Sequence, residues 1–458
     1  MKTDIVILAA GKGTRMKSAL PKVMHPLAGR PLVKHVVDTA SRLALSEQPD
    51  IHVVIGHGAE TVESYFAGTD VNLVYQLEQL GTGHAVAQAL PVMSKDGITL
   101  VLYGDVPLTA TNSLESLLEK VTPTSMGLLT AIPASSKGYG RIVRDEAGRV
   151  TAIVEEKDAT DAQRNIKEIN TGILAIESRH LHDWLPTLSN SNAQGEYYLT
   201  DVIAMAVQAG LTVETVNPNQ IEETLGVNNR LQLAELERFY QRQQADVLMT
   251  NGASLADPAR IDVRGTVTTG QDCDIDINAV FEGTVTLGNN VSIGPNCVFK
   301  NCTIGDGTRI EANTVIEDAV IGTSCNVGPF ARVRPGTVLE HGAKLGNFVE
   351  IKKAHIGKGS KVNHLTYVGD TVMGEGVNIG AGTITCNYDG ANKYVTTIHD
   401  NVFVGSNSTL VAPVTLNEGA FVGAGSVITK DIPANKLTIG RAKQVTIDSW
   451  KRPVKDHK

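Results

Sequence analysis

An aliphatic ladder in the second half of the chain limits the possible folds more than any other feature. From Leu287 to Ile428 an apolar side chain recurs every five or six residues, with a polar rung at Thr385 and one interruption after it. This period predicts a solenoid of short strands, and three rungs per coil make it a triangular prism whose rungs point inward. The rungs are Leu287, Ile293, Phe299, Ile304, Ile310, Ile316, Ile321, Val327, Val333, Leu339, Leu345, Ile351, Ile356, Val362, Val368, Met373, Ile379, Thr385, Ile398, Val404, Leu410, Leu416, Val422 and Ile428.

The first half follows a different pattern. Up to about residue 228, the aliphatic runs DIVILAA, IHVVIGH, ITLVLYGD and MGLLTAI alternate with stretches of helical spacing such as PLVKHVVDTASRLA and GTGHAVAQAL. This alternation predicts a doubly wound, Rossmann-like α/β sheet whose ligands lie at the C-terminal ends of its strands. A stretch without Gly or Pro then predicts one long helix. The predicted domains are therefore 1–228 (α/β), 229–250 (helical linker) and 251–458 (solenoid).

The bulk composition excludes several classes of protein. A net charge of -8 argues against a nucleic-acid coat and against binding to anionic membranes. The five cysteines contain no C-x-x-C pair, which favours reduced thiols. The apolar run near the N terminus lies between Asp4 and Lys12 and is too short for a signal peptide or a membrane span. We therefore expect a cytoplasmic protein without nucleic-acid or membrane partners.

A glycine-rich turn follows the first aliphatic run, in the segment IVILAAGKGTRMKSALPK. It is neither a Walker A loop nor a dinucleotide fingerprint, because Met16 stands where the third Gly of that fingerprint belongs. The remaining parts are a strand, a Gly-x-Gly turn and the cations Lys12, Arg15, Lys17 and Lys22. Such a turn, with backbone N–H groups open to a ligand, is suited to a triphosphate.

The string G-x-G-T-R-M followed by P-K, with QLGTGHA and LYGDVPL further on, resembles the signature of sugar-nucleotide pyrophosphorylases. The ladder resembles the left-handed parallel β-helix of hexapeptide-repeat acyltransferases. Together, residues 3 to 452 resemble the bacterial bifunctional N-acetylglucosamine-1-phosphate uridylyltransferases and glucosamine-1-phosphate N-acetyltransferases. The resemblance implies acetyl transfer from acetyl-CoA to glucosamine-1-phosphate, followed by uridylyl transfer from UTP with release of pyrophosphate. It also implies a homotrimer.

For the uridylyl half, Asp105 follows a buried strand, and a carboxylate beside a triphosphate implies Mg²⁺. The resemblance supplies Asn228 of GVNN as a second metal ligand. It assigns Arg15 to the leaving pyrophosphate, Lys22 to the reacting phosphates, Gln76, Gly81 and Thr82 to uracil, and Gly140, Glu155 and Asn170 to the sugar. The remaining predicted contacts to UTP or its product are Leu8, Ala9, Ala10, Gly11, Tyr103 and Gly104.

For the acetyl half, the insertion CNYDGANKYVTT interrupts the ladder and predicts a loop that stands off the prism. The resemblance makes His364 the base, a role suited to a side chain that titrates near neutrality, with Glu350 orienting it. It assigns Arg334, Lys352, Tyr367, Asn378 and Lys393 to glucosamine-1-phosphate, and Asn387 and Tyr388 to the acetyl group and its oxyanion. Ala381, Ser406, Ala424 and Arg441 are the predicted acetyl-CoA groove.

Two other functions remain open from the sequence. One is a single-activity pyrophosphorylase whose solenoid only oligomerises or regulates, which predicts no base and no loop in the prism. The other is a non-catalytic scaffold, which has no need of Lys22 or Asp105. For assembly, the recurrence of Val404, Leu410 and Leu416 in step with small side chains predicts prisms that pack side by side.

Overall fold

A computed structural model describes residues 2–455 of the chain, which divides into two compact units, Met1–Tyr240 and Gln241–Lys458. The division falls inside the helix Arg230–Thr250, which occupies the stretch predicted to be helical. The domain limits at 228 and 251 remain predictions. Each unit has its own hydrophobic core.

The first unit is built on a nine-stranded sheet with the order β9-β5-β8-β4-β1-β2-β3, and β6 and β7 extend from β8. All four aliphatic runs form strands, and four of the six pairings along this order are parallel. The strand β8 differs, because it runs antiparallel to both β4 and β5. The strands are β1 (Thr3–Leu8), β2 (Asp50–Ile55), β3 (Asn72–Tyr75), β4 (Ile98–Tyr103), β5 (Ser125–Ala131), β6 (Arg141–Arg144), β7 (Val150–Val154), β8 (Ile169–Glu177) and β9 (Thr212–Val216).

Helices cover both faces of this sheet, and a separate apolar cluster fills each face. The two stretches of predicted helical spacing form α1 and α3. The helices are α1 (Leu32–Ser41), α2 (Ala59–Phe66), α3 (Thr82–Ala89), α4 (Thr111–Leu118), α5 (Asp161–Arg164), α6 (Ser178–Trp184), α7 (Asp201–Gln208) and α8 (Arg230–Thr250). Short 3₁₀ turns lie at Thr14–Met16, Lys22–Met24, Leu90–Val92, Leu185–Thr187, Ile221–Thr224 and Pro258–Arg260, and a small hairpin pairs Pro26–Leu27 with Arg30–Pro31.

The second unit is a parallel β-helix with three stacks of short strands, here named walls A, B and C. Three longer strands, Ile261–Thr269, Ala279–Leu287 and Val298–Ile304, start the prism, and the last of them continues into both wall B and wall C. Wall A contains Ala253–Leu255, Cys273–Ile275, Ser292–Ile293, Arg309–Ile310, Asn326–Val327, Lys344–Asn347, Lys361–His364, Asn378–Ile379, Phe403–Val404, Phe421–Val422 and Leu437–Thr438. Wall B contains Val315–Glu317, Arg332–Val333, Glu350–Lys352, Tyr367–Gly369, Ile384–Cys386, Thr409–Val411 and Val427–Ile428. Wall C contains Ala319–Ile321, Thr337–Leu339, His355–Ile356, Thr371–Met373, Thr396–Ile398 and Val414–Leu416.

Every predicted rung is buried inside the prism, and Thr385, the polar rung, is buried with them. Its hydroxyl accepts a hydrogen bond from Gly369 N at 2.8 Å, which satisfies the hydroxyl within the core. Burial also corrects one expectation about assembly. Val404, Leu410 and Leu416 are fully enclosed by their own chain, so they cannot pack against a neighbouring prism.

The predicted insertion leaves the prism as a loop between Ile384–Cys386 of wall B and Thr396–Ile398 of wall C. A single antiparallel bridge between Tyr388 and Lys393 closes this loop. On either side of it the ladder continues in register, because wall C pairs Thr371 with Thr396. The insertion therefore adds a loop without disturbing the core.

The N-terminal part of α8 packs on the signature turn of the first unit. Leu236 is buried in a cluster with Met16, Leu27 and Leu32. Nearby, Glu237 Oε2 accepts from Ala28 N at 2.7 Å. These contacts hold in place the residues on either side of Lys22, so the N-terminal part of the helix belongs to the folded first unit.

We therefore expect Leu236→Ala in the full chain to destabilise the first unit by about 2–5 kcal/mol, the usual cost of truncating a buried leucine. The matched control is Leu231→Ala on the same helix, because Leu231 is 76% exposed and its truncation leaves no cavity. The measurement is denaturant unfolding, monitored through the loss of uridylyl transfer. Equal unfolding midpoints for the two variants would contradict this role of the helix.

Candidate active sites

Most of the predicted nucleotide-binding residues line one cavity of about 490 Å³, where β1, β3 and β4 end. This is the edge of the sheet at which a doubly wound fold binds ligands. Another cavity, of about 540 Å³ near Asp50 and Val71, lies where β2 and β3 begin and contains none of the predicted residues. The first cavity is lined by Leu8, Ala9, Ala10, Gly11, Lys12, Lys22, Val23, Gln76, Gln79, Gly81, Thr82, Ala85, Tyr103, Asp105 and Glu196. Gly104, also predicted, lies beside it and donates its N–H to Leu8 O at 2.9 Å.

Two glycines shape the signature turn for different reasons. A Cβ added to Gly11 would meet no atom within 4 Å, so this glycine leaves space open at the cavity. Gly13 has φ +58°, and a Cβ there would lie 2.6 Å from Lys22 Cβ. Met16, at the position of the missing third glycine, is buried and anchors the turn in the core. The turn thus approaches Lys22 closely and stays open toward a ligand.

Four predicted residues with charged or amide side chains meet at this turn. The ammonium of Lys22 forms an ion pair with Asp105 Oδ2, and both side chains are about five-sixths buried. The same ammonium lies 3.4 Å from Asn228 Oδ1, which also accepts from Arg15 at 2.9 Å. Val227 N donates to Asp105 O at 2.9 Å. This bond fixes the loop that carries Asn228 against the end of β4. The two cations therefore share the Asn228 oxygen, and Lys22 also holds the carboxylate of Asp105.

The predicted base-binding residues lie on the other side of the cavity. Gln76 follows β3 and is buried, and its Nε2 donates to Gly81 O at 3.1 Å. Gly81 has φ +114°, and a Cβ there would lie 2.6 Å from Tyr197 O, so only glycine fits this turn. Thr82 begins α3 and its hydroxyl accepts from Leu199 N at 3.1 Å. The loop that would meet the base is held by hydrogen bonds to the segment at 197–199.

The predicted sugar-binding residues are joined to the cavity through Tyr103. Burial raises the pKa of the Tyr103 hydroxyl, and the nearby Glu155 and Asp105 raise it further. Burial also raises the pKa of Glu155, whose carboxylate accepts from Thr200 at 3.3 Å. Glu155 and Asn170 both lie next to Gly140: Asn170 N donates to Gly140 O at 2.9 Å, and a Cβ on Gly140 would lie 3.4 Å from Glu155 Oε1.

Sequence reasoning missed Arg141, which supports this region from inside the protein. Its guanidinium is almost fully buried, pairs with Glu156 at 2.7 Å and donates to Tyr139 O. It thereby connects the loop before β6 to the segment that carries Glu155. Arg141 directly follows the predicted sugar contact Gly140, but the sequence alone does not distinguish a buried arginine from an exposed one.

In the prism, the predicted base and groove residues follow one line along the corner between walls A and B. Four of them occupy the same position in four successive coils, two residues after the wall A rung of each coil: His364, Ala381, Ser406 and Ala424. Backbone hydrogen bonds connect the coils: Gly382 N to His364 O, Asn407 N to Ala381 O, and Gly425 N to Ser406 O. Arg441 ends the line and donates to Ala424 O at 2.6 Å.

The position beside this line adopts positive φ in the successive coils from Asn278 to Gly425. Level with His364 and in the two coils directly below it, this position is filled by Phe330, Phe348 and Leu365, which are half-exposed or more. Above His364 it is filled by Gly382, Asn407 and Gly425. We call Phe330, Phe348 and Leu365 the ridge. At the coil of His364 the corner therefore changes from this ridge of large apolar side chains to an open groove.

The partner of His364 differs from the expected one. Its Nδ1 lies 2.9 Å from Oδ1 of Asn347, the residue one coil below in the same line. Glu350, expected to orient the histidine, accepts instead from Arg334 at 2.7 Å. Asn347 was missed because it stands alone in the sequence, and the signal that identifies it is its position one coil before His364.

Three cations predicted to bind the substrate phosphate lie close together. Proximity to Lys393 lowers the pKa of Lys352, and partial burial and Arg334 add to this effect. The ring of Tyr367 lies over Gly369, where a Cβ would be 2.3 Å from the Tyr367 hydroxyl. Like charges held this close give an acidic protein a locally positive surface.

The standoff loop is anchored by its first residue. Asn387 is buried and its Nδ2 donates to Asp370 Oδ2, while Tyr394 N donates to Asn387 O at 2.9 Å. Tyr388 is exposed and donates to Gly390 O within the loop. Asn378 lies on wall A, one coil above Lys361, with its side chain partly exposed. The structure thus places Asn387 and Tyr388 at the base of the loop, with different exposures.

Two negative findings apply to the described residues 2–455. None of their helices is both long and apolar enough to cross a membrane. Within the same range, no group of three or more His, Cys, Asp or Glu residues is placed to hold a metal ion.

The fold and these two sites define a nucleotidyltransferase unit joined to a hexapeptide-repeat transferase unit. Family models agree with this class: a MobA-like NTP transferase domain matches residues 5–182, and a bacterial transferase hexapeptide model matches residues 396–430. A third model, the GMPPB C-terminal domain, matches residues 263–346. A solved nucleotidyl transferase from Methanothermobacter thermautotroptrophicus aligns over 53% of this chain and 99% of its own, with 19% identity and a TM-score of 0.39.

Curated relatives match the whole chain. The protein is 61% identical to the bifunctional protein GlmU of Marinobacter nauticus over 98% of this chain and 99% of that one. It is 58% and 60% identical to those of Cellvibrio japonicus and Saccharophagus degradans, each over 99% of both chains. The chain therefore belongs to the GlmU family of bifunctional enzymes.

Family membership confirms the resemblance and the two activities predicted from the sequence. The chain is a bifunctional uridylyltransferase and acetyltransferase that makes UDP-N-acetylglucosamine, with acetyl-CoA and UTP as co-substrates. Full-length identity to bifunctional relatives excludes the two alternatives, a single-activity pyrophosphorylase and a non-catalytic scaffold.

Proposed function

We propose that the cavity of the first unit carries out uridylyl transfer with Arg15 and Lys22 as its phosphate-binding cations. In-line attack of a sugar phosphate on UTP requires positioning and neutralisation of repelling oxygens rather than covalent help. The observation that carries this proposal is the position of the Lys22 ammonium, between Asp105 and Asn228 at the open turn. Arg15, on the same amide oxygen, would meet the leaving pyrophosphate.

The same oxygens fit a magnesium ion. Asp105 Oδ2 and Asn228 Oδ1 converge on one cationic group, and Mg²⁺ is typically held by one or two protein oxygens plus water and phosphate. When bound there, Mg²⁺ would neutralise charge on the reacting phosphates. Lys22, relieved of its pairing with Asp105, would then be available to the substrate phosphates.

For base and sugar, we propose that Gln76 with the Gly81–Thr82 turn reads uracil, and that Gly140, Glu155 and Asn170 bind N-acetylglucosamine. The support is that Gln76, Gly81 and Thr82 line the cavity together with Tyr103, and that Glu155 lies close enough to Tyr103 to raise the pKa of its hydroxyl. A partly buried carboxylate such as that of Glu155 gains hydrogen bonds when sugar hydroxyls donate to it, which offsets part of its desolvation.

For acetyl transfer, we propose His364 as the base. Asn347 Oδ1 can only accept, so the nearby Nδ1 of a neutral imidazole carries the proton and Nε2 keeps its lone pair. The amine of glucosamine-1-phosphate would attack the thioester carbonyl while Nε2 takes the amine proton. The C–S bond then breaks and the proton returns to the departing thiolate of coenzyme A.

The remaining acetyl-site residues follow from charge and position. Arg334, Lys352 and Lys393 would bind the phosphate of the sugar, with Tyr367 and Asn378 beside it. Asn387 and Tyr388 would meet the acetyl group, and the line of Ala381, Ser406, Ala424 and Arg441 would hold acetyl-CoA. Four coils separate His364 from Arg441, or about 19 Å at the usual strand spacing. The groove is thus long enough for an extended cofactor whose phosphate meets Arg441.

We further propose that the working enzyme is a homotrimer in which neighbouring prisms cover this corner. The support is the ridge beside His364. Large apolar residues at positive φ are strained, and such strain is typical of functional positions. Leu365 adjoins the proposed base and is 66% exposed, so a second copy of the chain would bury it.

Leu365→Asp tests this assembly, because aspartate tolerates positive φ and the fold should persist. We expect it to dissociate the trimer and to lower acetyl transfer by at least about tenfold, since burying an unpaired charge opposes association. Uridylyl transfer should be unchanged. Mass measured by light scattering gives the assembly, and Val372→Asp on wall C, away from this corner, is the control. A Leu365→Asp trimer with full acetyl transfer would overturn the proposed role of the corner.

We also propose a cytoplasmic location. The five cysteines form no disulfide, and four of them are buried in the prism. Reduced thiols are the rule in that compartment. The net charge of -8 supports the absence of a nucleic-acid partner.

A further inference from the structure

The hydrogen bonds behind Gln76 restrict how it can face a ligand. Its Nε2 lies 3.1 Å from Gly81 O and 3.1 Å from Nδ1 of His84. A carbonyl oxygen only accepts, so the NH₂ end of the carboxamide must point toward the loop. Both of its hydrogens are then used, and the oxygen end remains for the cavity that Gln76 lines.

This arrangement also determines the tautomer of His84. Because Gln76 donates to Nδ1, that nitrogen must carry the lone pair, and the proton of the neutral ring lies on Nε2. Nε2 lies 3.1 Å from the amide nitrogen of Gln88, which also donates to His84 O at 3.2 Å. Two amide NH₂ groups therefore compete for one imidazole.

The competition favours Gln76. Gln76 is 3% exposed, so by turning over it would lose its bond to Gly81 O with no water to replace it. Gln88 gives up its bond to His84 O when it turns its oxygen to Nε2–H, but it is only partly buried, so water can take the place of that bond. The backbone around His84 is also fixed, since Gly83 N donates to Tyr197 O at 2.8 Å and Tyr197 N donates to Leu80 O at 2.8 Å. The ring is thus a rigid acceptor placed behind Gln76.

We infer that His84 is a positioning residue that sets base selectivity by holding the oxygen of the Gln76 carboxamide toward the nucleotide. The inference rests on the proposed role of Gln76 in reading uracil. Uracil presents one donor, N3–H, between two carbonyl acceptors, whereas cytosine presents a lone pair at N3. An oxygen facing N3 accepts from uracil and leaves cytosine unpaired. A carboxamide turned over would present NH₂ and favour cytosine.

The test compares kcat/KM for UTP and CTP in the full-length enzyme, with N-acetylglucosamine-1-phosphate as the second substrate. His84→Leu removes the acceptor, and we expect the UTP to CTP ratio to fall by about tenfold or more, the effect of misaligning one buried hydrogen bond. The change should appear mainly in KM for the nucleotide. If the leucine variant does not fold, His84→Ala removes the ring without adding bulk and should give the same fall in the ratio.

Two variants separate this role from simple packing. His84→Asn can place its Oδ1 near the site of Nδ1 and should keep the ratio within about threefold of the original, because it retains an acceptor. Gln88→Leu is the matched control and should leave the ratio unchanged. An asparagine variant as unselective as the leucine variant would overturn the claim that the acceptor matters.

A Gln76→Leu variant tests the proposed role of Gln76 separately from the role of His84. If Gln76→Leu leaves the ratio intact, the proposed role of Gln76 fails and the inference fails with it. If Gln76→Leu lowers the ratio while His84→Leu and His84→Ala do not, the base is read by Gln76 without help from His84, and only the inference is overturned. A fall with both substitutions, restored by His84→Asn, supports the relay.

Discussion

Lys22→Ala and Asp105→Ala are each expected to lower uridylyl transfer by at least about a hundredfold, the scale for removing a preorganised charge from a phosphoryl-transfer site. The reason is their shared position: Lys22, Asp105 and Asn228 form one hydrogen-bonded group at the open turn. Removing either side chain leaves the reacting oxygens without a fixed opposite charge or a metal ligand. Initial rates of pyrophosphate release measure the effect.

The two variants should differ in their response to magnesium. A further variant, Asp105→Asn, keeps an oxygen but loses the charge, so the Mg²⁺ concentration at half-maximal rate should rise by about tenfold. It should not rise in Lys22→Ala, because no ammonium then competes for the carboxylate of Asp105. The matched control is Lys17→Ala, an exposed lysine on the same turn. Acetyl transfer should survive in all of them. Loss of both activities in a folded variant would show that these residues do not serve one half alone.

The parts of the fold that could be predicted are those encoded locally. Each prism rung carries its own signal, because an inward side chain every five or six residues is read without knowledge of distant contacts. The four aliphatic runs were identified as strands for the same reason. The antiparallel direction of β8 was not, since direction depends on which neighbours a strand pairs with and not on its residues. Handedness of the prism likewise has no signal in the period.

The candidate sites show the same limit. Lys22 and Asp105 were found because both stand in recognisable strings after a strand, and resemblance supplied their roles. Asn347 was missed, because its importance comes from lying one coil below His364. The interface expectation failed at Leu410 for a different reason: Leu410 is itself a rung of the ladder, and an inward rung is buried by its own chain and cannot also face a neighbouring prism. Tertiary placement decides both cases.

His364→Ala is expected to lower acetyl transfer at neutral pH by at least about a hundredfold, the lower range for loss of a positioned general base. Uridylyl transfer should be unchanged, because its proposed ligands all lie in the first unit. Raising the pH should restore part of the rate, since the substrate amine then loses its proton to solvent. His341→Ala is the matched control: it is also exposed and its Nδ1 lies 2.8 Å from Thr323 on a neighbouring coil.

Two further substitutions separate the base from its surroundings. Asn347→Leu removes the acceptor that fixes Nδ1–H, so the lone pair is no longer held on Nε2, and acetyl transfer should fall by about tenfold with little change in KM. Glu350→Gln weakens the hold on Arg334 and should instead raise KM for glucosamine-1-phosphate, with the pH profile preserved. If Glu350→Gln reproduced the Asn347→Leu profile, the carboxylate would be orienting the histidine after all. If His364→Ala retained full acetyl transfer at neutral pH, another group would be taking the proton of the attacking amine. The line of residues along the corner would then bind acetyl-CoA without supplying the base.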